Sequence, residues 1–158
     1  MIVLDDLEYS RRDQAQDVFA RYRRALDSVL GTCGFEAFGS VHFLVMMLEA
    51  YYFACPAVLK AVLGIEIPAV ESDVELIPHP KNNLKSQCHG FDEKAHGRQI
   101  VPSLDMAAVL GNPQTCASMR TLFAWCIKAM GGTAGERFQL AEGVLFPATK
   151  DQLDLLSL

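Results

Sequence analysis

The sequence predicts an all-α fold: a single compact helical domain over residues 1–158, with five or six helices and one long ordered loop at about 65–103. Three observations lead there. Apolar residues recur at helical spacing both early and late in the chain, the stretch from Val41 to Ala54 is apolar nearly all round, and the residues between Ile65 and Pro102 lose both patterns.

From Asp6 to Leu30, Ala15, Val18, Phe19, Tyr22, Ala25, Leu26, Val29 and Leu30 fall on one helical face, while Arg11, Arg12, Asp13, Asp17, Arg21, Arg23, Arg24 and Asp27 fill the other. This predicts an amphipathic helix whose arginines, interleaved with aspartates, form a solvated face. Asp17 and Arg21 are four apart in the favourable order, and Gly31 marks the stop. Ser40 is read as the cap of a helix running to about Ala54. Only His42 and Glu49 are ionisable in its body, so this helix belongs in the middle of the fold. Pro56 suits the first turn of a short helix over Ala57–Leu63, stopped by Gly64.

Pro68, Pro78, Pro80, Pro102 and the Asn82-Asn83 pair then predict mostly irregular chain. Leu76, Ile77, Leu84, Phe91, Ile100 and Val101 offer it apolar anchors, and Val74–Ile77 and Gln99–Val101 have the length of short strands. A connection this long in a compact domain is a place to look for function. Ser103 opens a brief helix through Leu110, and Asn112-Pro113 opens another to about Met130, closed by Gly131-Gly132. Cys116, Met119, Phe123, Cys126 and Met130 line one face of the latter, as core packing requires. Arg137–Phe146 is helical or extended, and the Thr149–Gln152 capping box predicts a last helix from Lys150 toward Leu156.

Composition narrows the function classes. A hydrophobic fraction of 51% with 21% charged residues is that of a folded domain and excludes a disordered chain. With 14 Lys and Arg against 19 Asp and Glu, the overall field repels nucleic acid and anionic membrane. The apolar stretch Val41–Leu59 carries His42 and Glu49 and is interrupted by Pro56, which reads as core and not as a membrane span. Five irregularly spaced cysteines argue against a disulfide framework, and the acidic Asp5-Asp6 close to the start argues against a signal peptide. The expectation is a cytoplasmic protein with reduced thiols.

Glu49 is the most informative residue, because an acid in an apolar helix must be paired, protonated or solvated by a cavity. On a helix, His42 seven positions earlier would project from nearly the same face, about 10 Å away along the axis. Glu49 then either meets a Tyr, Lys or Arg in a structural pair or lines a pocket with His42. The other histidines, His79, His89 and His96, lie within 78–98 beside Cys88, Asp92 and Glu93. Their spacing matches no zinc motif, yet His42, Glu49, His89 and His96 would form an open divalent-metal site if the loop folded onto the central helix. Such a site would serve a metal-dependent hydrolase or oxygenase. Cys88 could act as a thiol nucleophile if a histidine deprotonated it, Asp92 or Glu93 oriented it and Lys85 and Lys94 lowered its pKa.

The same segment is locally basic, since Lys81, Lys85, Lys94 and Arg98 outnumber Asp92 and Glu93. Together with Glu49, His79 and His89 it makes a recognition surface for another protein or for a small anionic ligand. No P-loop or glycine-rich dinucleotide motif is present. The leading expectation is a small protein-binding module, of the inhibitor or toxin-neutralising kind. A metal-dependent helical enzyme and a small-anion sensor are the alternatives.

Overall fold

The computed structural model describes residues 1–35, 38–112, 114–129, 139–141 and 144–146. In chain order these form strand β1 (Ile2–Leu7), a 3-10 turn (Tyr9–Gln14), helix α1 (Ala15–Gly31), strand β2 (Ser40–Val45) and helices α2 (Leu48–Tyr52) and α3 (Pro56–Leu63). A 3-10 turn (Val74–Leu76), helices α4 (Pro80–Gln87) and α5 (Glu93–Ile100), a further 3-10 turn (Val101–Ser103), helices α6 (Met106–Gly111) and α7 (Ala117–Ala129), and strands β3 (Gln139–Ala141) and β4 (Val144–Phe146) follow. The chain divides into two compact units, one made of Met1–Leu44 with the chain from Ala117 on, the other of Val45–Cys116.

The all-α expectation is overturned. The chain is mostly helical, but β1 and β2 pair in a small parallel sheet, with α1 as the crossover between them, and β3 pairs antiparallel with β4. Residues 40–45, expected as helix, form strand β2. A parallel strand buried on both faces is as continuously apolar as a buried helix, and five of the six residues of β2 are buried. The β-branched Val41 and Val45 flanking Phe43 decide for the strand. His42 and Glu49 therefore do not share a helix: His42 sits in β2 and Glu49 in the short α2.

In the first unit Leu7, Ala15, Val18, Leu26, Val41 and Phe43 are buried. The long amphipathic helix starts at Ala15, with the turn Tyr9–Gln14 ahead of it. Its arginine face is not wholly solvated. Arg23 is buried, donating from Nη1 to the Gly39 carbonyl and from Nε to Asp27 across 3.1 Å. Gly39 lets the backbone pass close against α1, since a Cβ there would lie 2.4 Å from a Leu30 methyl and 2.9 Å from one of Leu26.

The second unit buries Met46, Ala50, Tyr51, Tyr52, Phe53, Leu59, Val74, Leu84, Phe91, Ile100 and Val109. Helix α3 has Pro56 in its first turn and ends at Gly64, whose φ of +68° is the left-handed stop. The segment 65–103, expected as irregular chain, carries α4 and α5 instead. Val74–Leu76 is a turn and Gln99–Val101 ends a helix, so neither is a strand. Pro80 in the first turn of α4 and Asp92 as the cap of α5 are the local reasons. Helix α7 begins at Ala117, later than Asn112-Pro113 suggested, and the helix expected from Lys150 lies outside the described residues. No helix among the described residues is long and apolar enough to cross a membrane.

Candidate functional site

The basic segment folds into a helical hairpin. His79 adopts a left-handed conformation (φ +49°) and turns the chain into α4, with the Asn82 and Asn83 amides donating to its carbonyl. Leu84 anchors α4 in the core at 0% exposure. After the turn at Cys88–Gly90, the Asp92 carboxylate accepts from the Ala95 amide (2.6 Å) and caps α5. Gly97 and Ile100 carry the inward face of α5, and a Cβ at Gly97 would stand 3.3 Å from the Tyr52 hydroxyl. Helix α2 packs against α4 and α3 packs against α5, so the hairpin rests on a two-helix platform.

Glu93 fastens the two arms. Its carboxylate takes Lys81 at 2.8 Å and Lys85 at 3.1 Å, both from α4, and hydrogen bonds from these lysines hold its carboxyl below the usual range. Lys81 is half-buried and Lys85 exposed. His79, His89, Lys94 and Arg98 are all exposed, and among the described residues no acidic side chain pairs with Lys94 or Arg98. Being four apart on α5, these two cations lie one turn from each other.

Beneath the hairpin lies a buried polar node that the sequence did not reveal. The Tyr51 hydroxyl, on a fully buried side chain, accepts from the Val45 amide (3.2 Å) and donates to Glu75 Oε1 (2.9 Å). Burial, reinforced by the Glu75 charge, holds the Tyr51 phenol well above its ordinary pKa, so it stays a donor. Two residues before Glu75, Asp73 Oδ1 accepts from the Glu75 amide (3.0 Å), the Cys116 amide (3.0 Å) and the Thr115 hydroxyl (3.3 Å). Met46, Met47 and Cys116 have positive φ, so three non-glycine residues in strained backbone flank the two ends of this unit. Nothing local distinguishes Glu75 from the other acids of its segment; only the Asp73-x-Glu75 turn chemistry hints at the cap.

The four residues expected to hold a metal are not brought together. His42 belongs to the first unit, where its Nε2 and the Ser40 hydroxyl share a hydrogen bond of 2.9 Å and its ring meets Trp125 edge-on at 6.0 Å. Burial lowers its pKa to about 4. Glu49 is buried in α2 and His89 is exposed in the hairpin turn. His96 stacks on Phe91 at 5.7 Å and takes the Asp92 amide on Nδ1 at 2.9 Å, so it serves the turn. Among the described residues no group of three or more His, Cys, Asp or Glu is placed to hold a metal ion. The thiol reading fares no better. Cys88 has no histidine within hydrogen-bond reach among the described residues, Asp92 is spent on its cap and Glu93 on two lysines.

No family model, curated protein or solved structure matches this chain. What the hairpin offers chemically is fixed donors and positive charge on a braced support. No assembled metal-ligand set is found among the described residues.

Proposed function

We propose that the chain is a binding module for an acidic protein surface, recognised by the α4–α5 hairpin. Lys94 and Arg98 make the central contacts, with Lys85, His79 and His89 at the margin. The observation that carries this reading is the contrast within the hairpin. Lys81 and Lys85 are held by Glu93, while Lys94 and Arg98 stand exposed one turn apart with no acidic partner among the described residues. Cations on an ordered helix, beside a fastened turn, lose little freedom on meeting carboxylates, and Arg adds a planar fork that suits them. Their attraction also steers an acidic partner toward this face of an otherwise negative chain. An inhibitor or toxin-neutralising role is one form such binding would take. A cytoplasmic location belongs to the same proposal, supported by five cysteines that form no disulfide.

The test compares the native chain with the double variant Lys94→Glu/Arg98→Glu as bait, with a labelled poly-glutamate peptide as a defined probe in fluorescence anisotropy. Proteins retained by the native bait should be acidic and lost from the variant. The peptide should bind the variant at least about tenfold more weakly, and salt should weaken binding to the native chain. Equal retention by both baits, with equal peptide affinity, would refute the assignment.

A further inference from the structure

In the first unit, β1 is paired on one side only among the described residues, since its sheet consists of β1 and β2. The Ser40 amide donates to the Met1 carbonyl, which sets the parity of the strand. Backbone groups of Met1, Val3 and Asp5 face β2, and those of Ile2, Leu4 and Asp6 face away. At Asp6 the outer edge is already covered: its amide donates to Asp5 Oδ1 (2.9 Å) and its carbonyl accepts from Arg11 Nη2 (3.1 Å). Among the described residues the open stretch is therefore Ile2–Leu4.

Edge strands are ordinarily guarded by lysine, proline, a bulge or a covering loop. Ile2-Val3-Leu4 has no lysine or proline and exposes Ile2 at 43% and Leu4 at 47%. Phe35 and Phe38, edge-on at 5.8 Å and both more than half exposed, adjoin its start, because the Met1 nitrogen donates to the Phe38 carbonyl. The result is an apolar edge that offers backbone hydrogen-bonding groups.

We propose that this edge pairs antiparallel with the same edge of a second copy, Ile2 opposite Leu4 and a twofold axis at Val3. In that register Ile2 and Leu4 of each copy exchange their amides and carbonyls with Leu4 and Ile2 of the other, so every open group finds a partner. Apolar side chains meet apolar ones, and Asp5 faces Met1 rather than another acid. Sliding the copies so that Leu4 opposes Leu4 sets Ile2 against Asp6, whose groups are taken; sliding further brings Asp5 against Asp5, where like charges repel. The Ile2–Leu4 register thus satisfies both open residues of each copy about a twofold axis, which is what an isologous contact demands.

The test uses the full chain without an N-terminal tag, in sedimentation velocity from about 1 to about 100 µM. A concentration-dependent dimer is expected, weakened at least about tenfold by Leu4→Lys and by Ile2→Lys, with melting temperature checking that each variant folds. In a Cys33→Ser background, Val3→Cys should give a disulfide-linked dimer on oxidation, because the axis places the paired Cα atoms about 4.5 Å apart. Asp6→Cys and Cys33→Ser alone should give none. A chain that stays monomeric throughout, a dimer that both lysine variants leave intact, or a cross-link at position 6 and not at 3 would each overturn the proposal.

Discussion

The Tyr51 hydroxyl and the Glu75 carboxylate meet across 2.9 Å, both on buried side chains and 24 residues apart in sequence. Removing that hydroxyl takes a donor from a buried acid and an acceptor from the Val45 amide at once. Tyr51→Phe should therefore cost about 2 kcal/mol, the desolvation penalty of groups left without that partner. Urea unfolding followed by circular dichroism measures it. A loss within about 0.5 kcal/mol, the range of ordinary surface substitutions, would deny the node its supporting role.

Asp73 gathers three donors on one oxygen. Asp73→Asn keeps an acceptor there and should be mild, while Asp73→Ala should lose about 2 kcal/mol. Comparing the two urea midpoints separates the cap from the charge.

Gly97→Ala sets two effects against each other. Alanine in place of a mid-helix glycine contributes about 0.5–1 kcal/mol. The new methyl, however, would lie 3.3 Å from the hydroxyl of Tyr52, which is only 2% exposed and has little room to give. Packing should win, with a net loss of about 1 kcal/mol in thermal or urea unfolding.

His42 makes stability depend on pH. Its folded pKa of about 4 lies below the ordinary histidine value of 6.5, so between these values the unfolded chain binds more protons than the folded one. Its contribution is present above about pH 6.5 and is lost as pH falls toward 4, by about 3 kcal/mol in total. His42→Gln keeps a hydrogen-bonding group near Ser40 but cannot be protonated. The fall in urea midpoint between neutral pH and about pH 5 should be clearly smaller in that variant than in the native chain.

Glu93→Gln tests the hairpin from the opposite side. Both its ion pairs are at the surface, so stability should change by less than about 1 kcal/mol. Freed from Glu93, Lys81 and Lys85 join Lys94 and Arg98, and affinity for the poly-glutamate probe should rise. Anisotropy at low salt reads this directly.

Part of this fold was legible in sequence because its causes are local. Pro56 and Gly64 bracket α3, and the apolar stripe from Ala15 to Leu30 identifies α1. The strand β2 was not, because a short apolar run buried on both faces carries no period, and its β-branched residues were outweighed by the apparent cap at Ser40. Helices α4 and α5 were hidden by low apolar content, although Pro80 and Asp92 marked their starts. The basic residues of the site could be found by composition alone, but their sorting into bound Lys81 and Lys85 and exposed Lys94 and Arg98 depends on where Glu93 lands. The partnership of Tyr51 with Glu75 is a long-range contact with no local signal at all.

The node also has a topological meaning. Hydrogen bonds run from the Val45 amide through Tyr51 to Glu75, and from the Glu75 amide through Asp73 to Cys116, so both ends of the Val45–Cys116 unit are fastened to the same turn. A piece of chain closed off in this way behaves as a cassette: its outer side chains can change while the bonds that draw its two ends together stay the same.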